Sequence, residues 1–129
     1  MDKNFLYNKL QNVNQSFFNL KELPEIKWSK GQLKKRYRRI TFGCYDIKKN
    51  EIRIHPVFKT AAFPDFVLDF VIYHELLHYI DRDIMKQERR LFRYNRKKVH
   101  NKSFKDREKL FPNSSEAIKL LKRFVECRD

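Results

Sequence analysis

The amino-acid sequence predicts a single α/β domain of the α+β type: a small, mainly antiparallel sheet packed on helices. Three observations carry that expectation. Apolar residues recur at spacings of three and four near the N-terminus. Two β-rich runs flank a short polar turn further on. A mostly apolar stretch of helical length follows Pro64. A chain of 129 residues has room for one core and not for two, so the domain is expected to run over 1–129. Twelve Phe and six Tyr argue for a packed globule, because a disordered tail has no use for so many rings.

Leu6, Leu10, Val13, Phe17 and Leu20 form one face of an amphipathic helix that must close before Pro24. Lys27 to Arg39 carries seven basic and no acidic residues, with Trp28 and Tyr37 among them. Ile40 to Ile47 and Glu51 to His55 read as the two strands of a hairpin, and Pro56 stops the second. Pro64 and Asp65 mark the start of a helix. On it Val67, Phe70, Val71, His74, Leu77, His78 and Asp81 share one stripe, while Phe66, Leu68, Ile72 and Leu76 occupy the other faces. A helix apolar on all sides is central and buried. Ile84 to Val99 is a basic, helix-compatible stretch. Asn113 with Glu116 three residues later reads as a capping box opening a last helix, with Ala117, Ile118, Leu121, Phe124 and Val125 as its apolar positions.

Lys plus Arg number 30 against 16 acidic residues, a formal charge of +14, so the surface attracts polyanions without specificity. Cys44 and Cys127 are too few for a disulfide framework and too far apart for a CxxC metal pair. The N-terminus carries no apolar signal segment, and the longest apolar stretch, Phe66 to Ile80, is interrupted by Asp69, His74, Glu75 and His78. The expectation is a soluble, cytoplasmic protein with no membrane span.

The chemistry concentrates in His74-Glu75-Leu76-Leu77-His78, an H-E-x-x-H pattern on the expected central helix. Residues four apart sit on neighbouring turns, about 5–6 Å between Cβ atoms. Two imidazoles so placed can both reach one Zn²⁺ at about 2.0–2.1 Å. Glu75 lies about 100° round the helix from His74, given ~3.6 residues per turn, beside the metal without binding it. From there it can serve as general base and then general acid in hydrolysis. A catalytic zinc wants a third protein ligand and one open position. The candidates are His55, His100, Asp83, Glu88 and Glu108; His100 is favoured, with Phe104 anchoring its segment in the core. His55, at a strand end before Pro56, reads as structural or as lying near the rim of the cleft. A structural zinc would need a fourth ligand, and no cysteine lies near the motif.

His74-Glu75-Leu76-Leu77-His78-Tyr79 followed by His100-Asn101-x-x-Phe104 resembles the minigluzincins, small soluble zinc metallopeptidases of thermophilic prokaryotes. More distantly the chain is similar to the catalytic domains of membrane gluzincin peptidases and to SprT-like proteins. Gly43-Cys44-Tyr45-Asp46 with Ile52-Arg53-Ile54 also resembles the strand that precedes the family's active-site helix. The resemblance covers roughly residues 40–112. It implies His74, His78 and His100 as zinc ligands, Glu75 as the catalytic residue, and a peptide or protein substrate laid against a rim strand, for which Glu51 to His55 is the candidate. It also implies latency through a C-terminal segment, here the helix within 113–129; packing of that helix in the domain's own core is an equally good reading of its apolar face, and on the latency reading Glu126, Cys127 or Asp129 could offer an anionic ligand, with self-association through the helix as a further route. The competing reading is a basic nucleic-acid-binding module, or a SprT-like nucleic-acid-associated protease, built on Lys27 to Arg39 and on the net +8 of Arg82 to Lys109. Charge runs are more often solvated faces.

Overall fold

A computed structural model of the chain describes residues 3–30, 41–82 and 102–126. Among them are four α-helices and a three-stranded sheet, which makes the fold α+β. Helix α1 (Lys3–Phe17) buries Leu6, Leu10 and Val13 on the predicted face. It ends sooner than the apolar spacing suggests. The Phe18 and Asn19 amides both donate to the Asn14 carbonyl, and Asn19 takes a left-handed φ of 58°. The Asn14 side chain then brackets Leu20, accepting from its amide at 2.7 Å and donating to its carbonyl at 3.1 Å. That is a helix C-terminus built from asparagine in place of glycine.

Strand β1 (Glu25–Trp28) follows at once. The sequence reading placed Lys27 and Trp28 in a basic segment and missed this strand. Strands β2 (Gly43–Asp46) and β3 (Glu51–Ile54) form the expected hairpin, in register Gly43↔Ile54 to Asp46↔Glu51. Asp46 Oδ1 accepts from the amides of Lys48 and Lys49, and Asn50 adopts φ 51°, the local chemistry that reverses the chain. The strand order is β1-β3-β2, with β1 parallel to β3. The sheet is therefore mixed and not mainly antiparallel, because β1 reaches β3 across the rest of the chain and no tight turn fixes its direction. It also makes β3 the central strand. Glu51 to His55 cannot be the rim; among the described residues the edge beside the central helix belongs to β2.

Pro56–Lys59 makes one 3-10 turn, capped by His55, whose Nδ1 accepts from the Val57 amide at 2.9 Å. Helix α2 (Asp65–Ile80) starts at Pro64 as expected, and packs against α1, β2, β3 and both later helices. Eleven of its sixteen residues are buried, which accounts for its apolar character on every face. Helix α3 (Lys102–Glu108) returns over α2 with Phe104 buried. Helix α4 (Ser114–Glu126) begins where predicted, although Asn113 has φ 62° and so lacks the extended backbone of a capping-box residue. Its Ala117 is fully buried. Phe124 meets Phe42 and Phe63, at ring-centroid distances of 6.2 and 5.1 Å. The described part of α4 thus belongs to the domain's own core. No described helix is long and apolar enough to cross a membrane. The expected helix from Ile84 to Val99 lies outside the described residues.

Candidate metal centre on the central helix

The site is built on α2, a helix most of whose residues are buried. His74 and His78 project from consecutive turns with their rings 4.9 Å apart between centroids. Their Nε2 atoms stand 3.3 Å apart. Two nitrogens each about 2.0–2.1 Å from one ion, at the roughly tetrahedral angle zinc prefers, are separated by about 3.3–3.4 Å. Two neutral imidazole nitrogens at that spacing have donors of the right type and separation for one Zn²⁺.

The rings are held from the far side by α3. Phe104 stacks on His78, with centroids 4.5 Å apart and planes 25° apart, and meets the His74 ring edge-on at 5.1 Å. Glu108 places Oε2 2.5 Å from Nδ1 of His74. The His74 imidazole is subject to opposing effects. Burial disfavours its cation, but the Glu108 hydrogen bond and the charges of Glu75 and Glu108 outweigh that and raise its pKa. In the neutral ring the Glu108 carboxylate favours the proton on Nδ1 and so leaves the lone pair on Nε2; the raised pKa means that this neutral state is reached at a higher pH than in a free imidazole.

Glu75 points another way, toward β2. It is only 5% exposed, and burial pushes its carboxyl up to about 7, while His74 pulls it down and Glu108 adds to the rise. The neighbouring strand gives it room because residue 43 has no side chain. A Cβ there would stand 3.2 Å from Glu75 Oε2 and 2.7 Å from Val71 Cγ1. Cys44, a free thiol, is next along β2; burial and the Glu75 charge raise its pKa and keep it protonated.

Of the residues the sequence singled out, His74 and His78 bring their Nε2 atoms together, Glu75 lies on the same helix with its carboxylate turned toward β2, and Glu108 meets Nδ1 of His74. His55 is absorbed by its cap to Val57. His100, Asp83 and Glu88 lie outside the described residues, as do Cys127 and Asp129 and the side chain of Glu126. Among the described residues no group of three or more His, Cys, Asp or Glu is placed to hold a metal ion. What the sequence did not show is the contact of Glu108 with His74: Glu108, one of the candidate third ligands, meets Nδ1 of His74 while the Nε2 atoms of the two histidines face each other. The signal for it was the stripe on α2 that continues from His74 and His78 to Asp81, which needed polar partners from another element. Comparison of the chain with family models, curated proteins and solved structures finds no match.

Proposed function

We propose that the protein is a zinc-dependent metallopeptidase acting on peptide or protein substrates in the cytoplasm. The observation that carries the reading is the 3.3 Å separation of the His74 and His78 Nε2 atoms, with Glu75 buried on the adjoining face of the same helix. His74 and His78 would hold the ion, with His100 as the third ligand on the strength of the sequence resemblance. Bound there, Zn²⁺ supplies a Lewis acid that polarises the scissile carbonyl and makes water acidic near neutral pH.

The remaining work falls to the chain. Glu75, fixed between α2 and β2, would take a proton at its carboxylate and return it to the leaving amine. Glu108 holds the proton on His74 Nδ1, so Nε2 stays a donor of electrons. Among the described residues β2 is the edge strand beside Glu75, and a substrate in extended form could pair with it through backbone hydrogen bonds. The latency reading of segment 113–129 narrows on this fold. Ala117 is buried and Phe124 packs against the core, so an inhibitory contact would have to come from the last few positions.

Exchanging Glu75 for Gln tests the proposal. Wild-type protein should bind one equivalent of Zn²⁺ and hydrolyse an unstructured protein such as casein, with loss under chelator and recovery with Zn²⁺. The Glu75→Gln variant should keep the metal and lose at least about 10²-fold in hydrolysis. Hydrolysis that survives in this variant overturns the reading, and so does wild-type protein that takes up no zinc.

A further inference from the structure

The end of α3 is tied to α2 by consecutive residues on each side. Tyr73 and His74 on α2 face Arg107 and Glu108 on α3. The buried Tyr73 hydroxyl donates to the Arg107 carbonyl at 2.6 Å, and Glu108 Oε2 meets His74 Nδ1. Two turns further along the same stripe, Asp81 accepts from both terminal nitrogens of Arg107, at 3.1 Å from Nη1 and 2.5 Å from Nη2. That is a bidentate, partly sheltered pair, the geometry in which an arginine fixes a position as well as supplying charge. The Arg107 Nε donates to the Ser103 carbonyl one turn back, which aims the guanidinium along its own helix.

These ties matter because α3 has seven residues. A helix of two turns does not persist in water by itself. Its place on α2 depends on Phe104 in the core and on the bonds at its C-terminal end. Glu108 is the last residue of the helix and has no other means of reaching His74. We infer that Glu108 is a positioning residue for the metal centre, and that the Asp81–Arg107 pair acts on the metal through it by seating the end of α3. This inference rests on the zinc reading of the site and adds to it: residues that touch no ligand atom of the metal set how tightly it is held. Because such coupling is reciprocal, loading the metal should in turn hold α3 against α2.

The test uses the full chain, stripped of metal and titrated with Zn²⁺ against a chromophoric chelator. Wild type is compared with Asp81→Asn, Glu108→Gln, Glu108→Ala and the double variant Asp81→Asn/Glu108→Ala. Removing an outer-shell partner of a ligating histidine typically costs about 10–100-fold in metal affinity, and Glu108→Ala should fall in that range. Glu108→Gln keeps an acceptor and should lose less; it also gives the reading if the alanine variant does not fold. Asp81→Asn should weaken Zn²⁺ binding although it is remote from Nε2, and the double variant should be no weaker than Glu108→Ala alone, since both changes act through one contact. A purely structural role would lower the melting midpoint of the metal-free protein and leave Zn²⁺ affinity as it was. Unchanged affinity in Asp81→Asn, or losses that multiply in the double variant, overturns the inference while the zinc reading stands. Wild-type protein that binds no Zn²⁺ overturns both.

Discussion

Replacing Gly43 by Ala adds one methyl group where β2 lies against the central helix. The backbone would accept it, since φ at 43 is not in the left-handed region. Space is the obstacle. The new Cβ would lie 2.7 Å from Val71 Cγ1, about 0.8–1.3 Å inside the ~3.5–4.0 Å optimum for two carbons. It would also lie 3.2 Å from Oε2 and 3.3 Å from Cγ of Glu75. Val71 is 4% exposed on a helix packed on every side, so it has little room to yield. Overpacking of this kind costs about 1–3 kcal/mol. With a urea m-value of about 1–3 kcal/mol/M, the unfolding midpoint should fall by roughly 1 M. The second-site change Val71→Ala removes the clashing methyl. The double variant Gly43→Ala/Val71→Ala should be more stable than the sum of the two single effects by about 1 kcal/mol. Hydrolytic activity should fall further than the folded fraction explains, because the carboxylate of Glu75 shares the displaced contact. Urea melts of the four proteins decide the stability part. Simple additivity, or a Gly43→Ala variant as stable as wild type, would show that the strand does not press on Val71 and Glu75 as described.

Three further outcomes follow from other parts of the fold. Phe104→Ala empties a site only 1% exposed beneath both histidines, and should cost about 3–5 kcal/mol in a denaturant melt; a cost below about 1 kcal/mol would refute its anchoring role. Glu51 is buried on the sheet and held below the usual carboxylate range, first by its hydrogen bond from Arg53 and also by Lys27. A lowered folded-state pKa gives stability that is present above the unfolded value of about 4.3 and is lost as pH falls through the folded one. Glu51→Gln should therefore be less stable than wild type at pH 7, and the gap should close toward pH 3; a gap independent of pH in urea melts would count against the pairing. Removing residues 113–129 takes Ala117 and Phe124 out of the core and should abolish cooperative unfolding. Removing 127–129 should keep it, and a rise in hydrolysis there would mark those positions as the inhibitory ones.

Much of this fold is visible in the residues because local and global signals agree. Pro64 and Asp65 start α2, and its apolar character on all faces matches its place at the centre of the packing. The hairpin is visible because Asp46 and Asn50 have the turn chemistry that a β2–β3 connection needs. Strand β1 was not, for a physical reason: Glu25, Ile26, Lys27 and Trp28 do alternate polar and apolar, but four residues running into a basic segment are too short a pattern to stand out, and only long-range parallel pairing with β3 makes a strand of them. The same fact hid the order of the sheet and put the rim on the wrong strand. At the site, helical spacing alone places His74 and His78 together and turns Glu75 aside. Spacing says nothing about Glu108, 34 residues from His74 and brought there by the docking of α3.

The site contains two carboxylates that the fold treats in opposite ways, and the difference follows from which element each faces. Glu75 is pressed into the seam between α2 and β2, where burial favours its neutral form. Glu108 sits at the end of α3 with its Oε2 against Nδ1 of His74. Carboxyl groups in unlike surroundings can hold unlike roles, one moving a proton and one fixing where a proton stays. A helix supplies the register of the two histidines. Packing from the strand on one side and the short helix on the other decides what each acid beside them can do. If that division is right, exchanging the two environments should matter more than exchanging the residues: Glu75→Asp, which only withdraws the carboxylate from the seam, should damage hydrolysis while leaving Zn²⁺ bound, and Glu108→Asp, which withdraws it from His74, should weaken the metal first. Zinc titration and casein hydrolysis on the two variants separate these losses, and a variant pair with identical profiles would remove the distinction.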